Sequence, residues 1–301
     1  MNRLSGPFTS PPFNPFIISP IGLIPKKDSG DFRLIHDLST PKGNSVNDFV
    51  DPTEATVKYE TFDDFVRLLL QLPKGALMAK ADIKSAFRIL PVSPSDYWKL
   101  GIFWDNNYYF DKRLPMGASS SCAIFETIST SIQWILQQFG VLRVTHILDD
   151  FMFIGPPEAP DCASSLQLFL SLLQSLNIPV NPTKTVYPHT MITVHGIQVD
   201  SVTHLASLPP DKLNSIRTEL QILLKKRSVR LRKLQSVIGL LNFACRAIRP
   251  GRAFLRRLIN LTIGVKSTHH FIQINKEAKL DILTWQTFIT HFNGSTTSGQ
   301  I

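Results

Sequence analysis

Residues 144–155 read VTHILDDFMFIG, in which two apolar runs are separated only by Asp149 and Asp150. Two apolar runs joined by a short polar pair predict a β-hairpin with both carboxylates at its tip. An Asp-Asp pair is also a common way of making a plain turn. A purely structural hairpin would favour Asn-Gly or Asp-Gly, because a type I′ turn needs positive φ at both central residues.

A third carboxylate, Asp82, follows the short apolar run of residues 76–81. The ends of strands in one sheet can bring such side chains together rigidly. Hard divalent cations such as Mg²⁺ take carboxylate oxygens as ligands, and phosphoryl transfer with two ions needs several acids at one point. We therefore expect Asp82 to join Asp149 and Asp150. Taken alone, Asp82 would serve equally well as the N-cap of a helix that begins at Ile83.

The composition is that of a folded protein with room for two or three subdomains, with 301 residues of which 43% are hydrophobic. No apolar run is long enough to span a bilayer. Six prolines in the first 25 residues leave no apolar segment for a signal peptide. The three cysteines are too widely spaced for a zinc pattern or an obvious disulfide framework. We expect an intracellular protein without a membrane partner, with nucleus or cytoplasm left open.

The net charge of +9 is concentrated in residues 211–257, which hold 13 Lys and Arg against the two acids Asp211 and Glu219. One basic segment beside a nearly neutral body suggests a polyanion held from one side. A solvated basic helix face explains the same run equally well.

Short strands and helices alternate irregularly along the chain, without βαβ units, which predicts the α+β class. Strand pairs are expected at 21–25 with 32–38 and within 191–200, and helices at 61–72, 123–139, 165–176, 211–227, 229–246 and 252–262.

Six short motifs follow one another in the order found in the reverse transcriptase domain of retroelements, which the chain resembles over nearly its whole length. They are IPKKDSGDFR at 24–33, DIKSAF at 82–87, LPMG at 114–117, ILDD at 147–150, NPTK at 181–184 and VHG at 194–196. The resemblance implies a right-hand polymerase with an antiparallel palm sheet and a helical thumb.

Within that superfamily, several phrases resemble the tyrosine-recombinase (DIRS-type) retrotransposons. They are FRLIHDLS at 32–39, PKG at 41–43 with SVND at 45–48, GALMAK at 75–80 and LNFACR at 241–246. Two positions depart from the superfamily pattern. Ile147 stands where Tyr is usual, and His195 stands where Leu is more frequent.

The resemblance implies that Asp82, Asp149 and Asp150, with the backbone carbonyl of Ile83, hold two Mg²⁺ ions, for which Mn²⁺ can substitute. One ion would activate the primer 3′-hydroxyl, and the other would bind the triphosphate and stabilise the leaving pyrophosphate. The resulting activity is RNA-directed DNA polymerisation from deoxynucleoside triphosphates on an RNA or DNA template–primer.

Four basic residues are candidates for contacts with the triphosphate. Arg33 and either Lys26 or Lys27 would do so from the fingers hairpin, with an ordinary basic hairpin tip as the alternative reading. Lys184 would pair with phosphate or else only decorate a loop.

Three uncharged residues are implied to shape the nucleotide site. Phe87 would lie under the deoxyribose and exclude a 2′-hydroxyl, unless it is a core aromatic. Met116 would pack against the base or fill the palm. Gly117 would let the backbone approach the substrate closely.

The resemblance also implies domain boundaries. The fingers would span 1–57 and 90–120, the palm 58–89 and 121–205, and the thumb 206–262. Residues 263–301 would lead toward an RNase H domain that this chain does not include, so no RNase H activity is expected. The thumb residues expected to bind nucleic acid are Lys225, Lys226, Arg227, Arg230, Arg232 and Lys233.

Two other functions fit parts of the pattern. A retroelement remnant that only binds nucleic acid would keep the basic segment and lose catalysis, and Ile147 favours it. A right-hand RNA-dependent RNA polymerase would share the carboxylates, but Phe87 and the thumb phrase favour deoxynucleotides.

Overall fold

The protein is described here by a computed structural model that covers residues 3–25, 30, 32–291 and the backbone of 295–296. It forms two compact units. The first contains the described residues of 1–64, 79–153 and 163–187, and the second contains those of 65–78, 154–162 and 188–301. The units cut across the expected fingers, palm, thumb and connection boundaries, which stay predictions.

The described strands are β1 (Leu4–Phe8), β2 (Ile21–Pro25), β3 (Phe32–His36), β4 (Leu77–Asp82), β5 (Gly101–Trp104), β6 (Asn107–Asp111), β7 (Val144–Ile147), β8 (Asp150–Gly155), β9 (Val186–His189), β10 (Met191–Val194), β11 (Ile197–Asp200), β12 (Leu205–Ser207), β13 (Ser228–Arg230), β14 (Phe271–Gln273) and β15 (Ser295–Thr296). The α-helices are α1 (Phe62–Leu69), α2 (Ser121–Gln138), α3 (Asp161–Ser175), α4 (Pro210–Lys225), α5 (Leu231–Ala244), α6 (Arg256–Asn260) and α7 (Lys276–His291). Short 3₁₀ helices occupy 46–49, 86–89, 94–99 and 249–255.

A four-stranded sheet with the order β7-β8-β4-β9 carries the three aspartates. β7 and β8 pair antiparallel, with Ile147 opposite Asp150. β4 is buried along most of its length, as a continuous apolar run predicts. Helix α2 packs against β7 through a buried face that includes Phe125, Ile132 and Leu136.

Two smaller sheets complete the first unit. One has the order β1-β6-β5, and its aromatic side chains pack on each other, with the rings of Phe8 and Phe110 stacked 5.8 Å apart. The other is the antiparallel β2–β3 hairpin, in which Ile24 lies opposite Arg33.

The second unit combines the sheet β10-β11-β12-β15, the β13–β14 ribbon and the C-terminal helices. Trp285 of α7 is fully buried there. Gly251 packs so closely on its ring that an added Cβ would come within 2.3 Å of it. Among the described residues, no helix has the length and apolar character needed to cross a membrane.

The mixture of helices with antiparallel sheets confirms the α+β prediction. The expected helix over 229–246 was wrong at its start. Residues 228–230 form β13 instead, because they pair with Phe271–Gln273 far along the chain. The expected helix over 252–262 is a 3₁₀ segment, 249–255, followed by the short α6.

Candidate active site

The aspartate hairpin has its turn one residue earlier than predicted. Ile147 pairs with Asp150, so the turn consists of Leu148 and Asp149, and Asp150 is the first residue of β8. Leu148 has a φ of 52°, in the left-handed region that Leu rarely adopts. Because Leu148 is apolar, the sequence pattern places it in the strand, and the turn was therefore predicted one residue too late.

Asp82 is the last residue of β4, so it is not a helix N-cap. Hydrogen bonds hold the chain around it in place. The N–H of Ile83 donates to the carbonyl of Asp149 at 2.8 Å, and the N–H of Asn181 donates to the carbonyl of Asp82 at 2.8 Å. Asp82 and Asp149 therefore lie on directly neighbouring backbone segments, as the strand-end argument predicted.

Two of the three carboxyl groups, those of Asp149 and Asp150, have raised pKa values, and burial is the main cause. Burial raises the pKa of Asp150 to about 6; Lys80 opposes this rise, and the charges of Asp82 and Asp149 add to it. Burial also raises the pKa of Asp149, and the charge of Asp82 adds to that shift. Raised carboxyl pKa values mean that the site favours a proton or another cation.

Lys184 supplies one cation to this site. Its Nζ donates to Asp82 Oδ1 at 2.9 Å. Burial disfavours the ammonium, but the bond to Asp82 and the neighbouring aspartates hold the pKa of Lys184 above its ordinary value. The sequence left the position of Lys184 between phosphate partner and loop decoration, and the structure places it on an aspartate.

The donor set suits a hard divalent cation, because it consists of carboxylate oxygens. Burial raises the pKa of Asp149 and Asp150, and Asp82 already binds an ammonium group. Across the part of the chain that the structure describes, however, no three His, Cys, Asp or Glu side chains converge as a ready-made ligand set. The three aspartates fit a divalent ion in ligand type and lie near one another. In this structure Asp82 is paired with Lys184.

The predicted triphosphate-binding residues are only partly described. Arg33 lies exposed on β3, and its charge opposes the rise that burial causes in the pKa of Asp149, so it acts on the carboxylate site. Lys26 and Lys27 lie outside the described residues, and their role stays a prediction.

Phe87 lies in the 3₁₀ helix 86–89, half-buried, with its ring packed edge-on against Phe125 at 5.5 Å. It is neither a fully buried core residue nor a free side chain. Its role in sugar selection stays a prediction.

Gly117 is required by packing within the chain itself. Its φ is +137°, and a Cβ there would lie 1.8 Å from the carbonyl oxygen of His36. The N–H of His36 in turn donates to the carbonyl of Met116 at 3.0 Å. Met116 is half-buried. The contacts expected between these two residues and a nucleotide stay predictions.

Sequence reasoning missed two residues that hold this loop. The Asn47 amide donates to the carbonyl of Gly117 at 2.8 Å, and its oxygen accepts from the N–H of Ser119 at 2.9 Å. Arg88 forms an ion pair with the buried Asp111 and donates to the carbonyl of Leu114 at 3.4 Å, just before the loop. Both link segments far apart in the sequence, so no local pattern marks them.

The predicted nucleic-acid-binding residues are in the second unit. Lys233 is paired with Glu219 at 2.5 Å, so its charge is partly offset. Arg230 lies 5.7 Å from the ring centroid of Phe271. The remaining members of the set are exposed to solvent: Lys225, Lys226, Arg227 and Arg232.

Comparison with known proteins identifies the family of this chain. Residues 24–206 match the family described as reverse transcriptase (RNA-dependent DNA polymerase). The chain belongs to this family. The match contains the ILDD motif and all three candidate aspartates, which fits the reverse transcriptase resemblance seen in the sequence.

Several relatives are viral or transposon polymerase proteins. Protein P of duck hepatitis B virus (strain Germany/DHBV-3) is 28% identical over 174 residues, covering 57% of this chain and 22% of the relative. The Pro-Pol polyprotein of feline foamy virus is 24% identical over 278 residues, covering 92% of this chain and 21% of the relative. The retrovirus-related Pol polyprotein from transposon opus of Drosophila melanogaster is 22% identical over 288 residues, covering 91% of this chain and 25% of the relative. The reverse transcriptase chain thus spans about a fifth to a quarter of these relatives.

Solved structures show the same fold. A foamy viral protease–reverse transcriptase in complex with double-stranded DNA superposes with a TM-score of 0.69 at 19% identity, covering 91% of this chain and 44% of that one. The foamy viral enzyme in complex with an RNA/DNA hybrid gives 0.68 at 18% identity, covering 93% and 34%. The right-hand polymerase fold predicted from the motifs is confirmed.

Proposed function

We propose that this chain is the polymerase core of an RNA-directed DNA polymerase, which adds deoxynucleotides to a primer 3′ end on an RNA or DNA template. The observation that carries the proposal is the group of three aspartates at neighbouring strand ends, with the pKa of Asp150 raised to about 6. Carboxyl groups with perturbed pKa values are typical of functional sites, and carboxylates that hold two metal ions support phosphoryl transfer.

Asp82, Asp149 and Asp150, with the carbonyl of Ile83, would hold two divalent ions, Mg²⁺ or Mn²⁺. Such ions, when bound, stabilise charge on phosphoryl oxygens and favour ionisation of a hydroxyl nucleophile. The raised pKa of Asp149 and Asp150 supports this assignment, because burial and then repulsion between the aspartates disfavour the charged carboxylates, and a bound cation would offset both.

Lys184 would change partners during the reaction. Its ammonium rests on Asp82 without a ligand, and a cation on Asp82 would compete for the same oxygen. The released ammonium, with Arg33, would then neutralise the triphosphate. Lys26 or Lys27 would add to this charge from the fingers hairpin.

The substrate's sugar and base would meet Phe87, Met116 and Gly117. Phe87 would exclude a 2′-hydroxyl by bulk, and its ring is supported from behind by Phe125. Gly117 would present its backbone near the nucleotide from a loop anchored on His36.

Template and primer would be held by phosphate contacts from the second unit. Exposed Lys and Arg side chains around β13 and α5 favour sequence-independent binding.

We also propose a retrotransposon source of the DIRS type, supported by the phrases at 32–39 and 241–246. In the full element the chain would continue into an RNase H domain. The proposed order of subdomains along the chain is the one given by the motifs, with fingers, palm and thumb followed by the connection.

A remnant that only binds nucleic acid is the second candidate. It is favoured by Ile147 in the Tyr position and by the lack, in the described residues, of three converged metal ligands. It predicts nucleic-acid binding without any metal-dependent synthesis.

Primer extension on a homopolymer RNA template with Mg²⁺ or Mn²⁺ separates the two candidates. Asp149→Asn should abolish extension and leave template–primer binding nearly intact, because binding is assigned to the second unit. Asp105→Asn is the matched control, since Asp105 lies exposed in the β5–β6 turn. Extension by Asp149→Asn at the parent rate would contradict the metal assignment, and no extension by the parent would favour the remnant.

A further inference from the structure

Leu148 precedes Asp149 in the hairpin turn and holds a conformation that its side chain disfavours. Its φ is 52°. A left-handed residue with a Cβ crowds the following carbonyl, so an unsupported Leu would relax toward negative φ. Since Asp149 is the next residue, that relaxation would redirect its side chain.

Two side chains of α2 bind both backbone polar groups of Leu148. Glu126 Oε2 accepts from its N–H at 3.0 Å, and Ser129 Oγ donates to its carbonyl at 2.6 Å. Glu126 and Ser129 are three residues apart and so lie on one face of the helix. Both are buried, Glu126 at 7% exposure and Ser129 at 0%. Two buried hydrogen bonds to one residue leave it little freedom.

A ring of side chains lies behind Glu126. Its Oε1 is 3.3 Å from His146 Nε2, a nitrogen that makes no hydrogen bond to a described residue, and His146 Nδ1 is hydrogen-bonded to the Gln133 side chain. Gln133 donates to Glu60 at 2.9 Å, and Glu60 accepts from the His146 N–H at 2.9 Å. Burial lowers the pKa of His146 to about 4, so this imidazole is neutral at pH 7. The ring ties α2 to β7, which leads into the turn.

The other side of the turn is held by β4. The carbonyl of Asp149 accepts from the N–H of Ile83, the residue after Asp82. The turn is thus fixed between α2 on the Leu148 side and the end of β4 on the Asp149 side. We propose that Glu126 and Ser129 are positioning residues, which keep Leu148 left-handed and thereby direct the Asp149 carboxylate toward Asp82.

This inference rests on the proposed metal-dependent function and makes a claim that simple core packing does not. If the two side chains only satisfied buried polar groups, their loss would lower stability and leave metal affinity per folded molecule unchanged. If they direct Asp149, their loss weakens metal binding in protein that is still folded. Replacing residues that orient a metal ligand typically weakens metal affinity by about 10- to 100-fold.

The test measures Mn²⁺ binding by electron paramagnetic resonance of the free ion, without turnover, on the full chain at pH 7.5. Glu126→Leu removes the acceptor, Ser129→Ala removes the donor, and Glu126→Gln keeps an acceptor oxygen with nearly the same shape. We expect roughly tenfold weaker Mn²⁺ binding for Glu126→Leu and for Ser129→Ala. For Glu126→Gln we expect Mn²⁺ affinity to change by less than about threefold. In extension assays kcat should fall, with KM for template–primer unchanged.

Thermal melting identifies the variants that are folded, and Ser129→Ala, the smallest change, keeps the test open if Glu126→Leu does not fold. Asp149→Asn calibrates the assay. If it weakens Mn²⁺ binding while folded Glu126→Leu or Ser129→Ala binds within twofold of the parent, the positioning role is wrong and the metal site stands. If Asp149→Asn itself binds Mn²⁺ like the parent, both the proposed site and this inference are overturned.

Discussion

Replacing Asp150 by Asn should stabilise the protein when no divalent ion is present. Burial raises the pKa of this carboxyl to about 6 from the ordinary 3.8, with Asp82 and Asp149 adding to the shift. The folded chain therefore binds the proton more tightly than the unfolded chain between these two pKa values. Stability contributed by this group is fully present below the unfolded value and is lost as pH rises through about 6.

The size of the effect follows from the shift. Roughly two pKa units correspond to about 3 kcal/mol at pH 7.5, and to about half of that at pH 5. Asn removes the charge and keeps the shape, so Asp150→Asn should recover much of this free energy. For a domain of a few hundred residues, that is a rise in Tm of roughly 4–6 °C.

Thermal melting in EDTA at pH 5 and pH 7.5 measures the difference, with Asp105→Asn as the control for the loss of one exposed negative charge. Adding Mg²⁺ at pH 7.5 should raise the Tm of the parent clearly and that of Asp150→Asn much less, since a ligand stabilises only the form that binds it. A lower Tm for Asp150→Asn in EDTA at pH 7.5 would refute the reasoning, because it would mean that the carboxylate is stabilised by its surroundings.

Gly117→Ala should destabilise the protein by about 2–4 kcal/mol, because the new Cβ has no room beside a backbone carbonyl at positive φ; melting should show the loss, and an unchanged Tm would contradict it. Phe87→Ala should improve kcat/KM for ribonucleotides relative to deoxynucleotides by at least about tenfold in stably folded protein. Unchanged discrimination would make Phe87 a packing residue only. The logarithm of duplex affinity should fall with log salt at a slope of roughly −4 to −5, and replacing Arg230 and Arg232 by Ala should flatten it. Lys233→Ala, which removes a charge already paired with Glu219, should flatten it less; a parent slope near zero would rule out phosphate contacts.

The sequence by itself determined the elements that local patterns define. Apolar runs ending in acids placed Asp82 at the end of β4 and the Asp149–Asp150 pair at a hairpin, and the 3.6-residue period placed α2 within two residues of its observed bounds. Motif order then led to the family and the fold. These features are local because burial of one strand or helix face is set by residues that are near one another in the chain.

Only the tertiary structure decided how the site is held together. The left-handed φ of Leu148 depends on partners in α2, the ion pair of Lys184 with Asp82 joins segments about a hundred residues apart, and Gly117 is required by a carbonyl on β3. Residues 228–230 became a strand for the same reason, because the pairing with β14 outweighs their helical pattern. Hydrogen bonds and close packing between distant segments depend on where the chain returns in space, and no local period of the sequence records that.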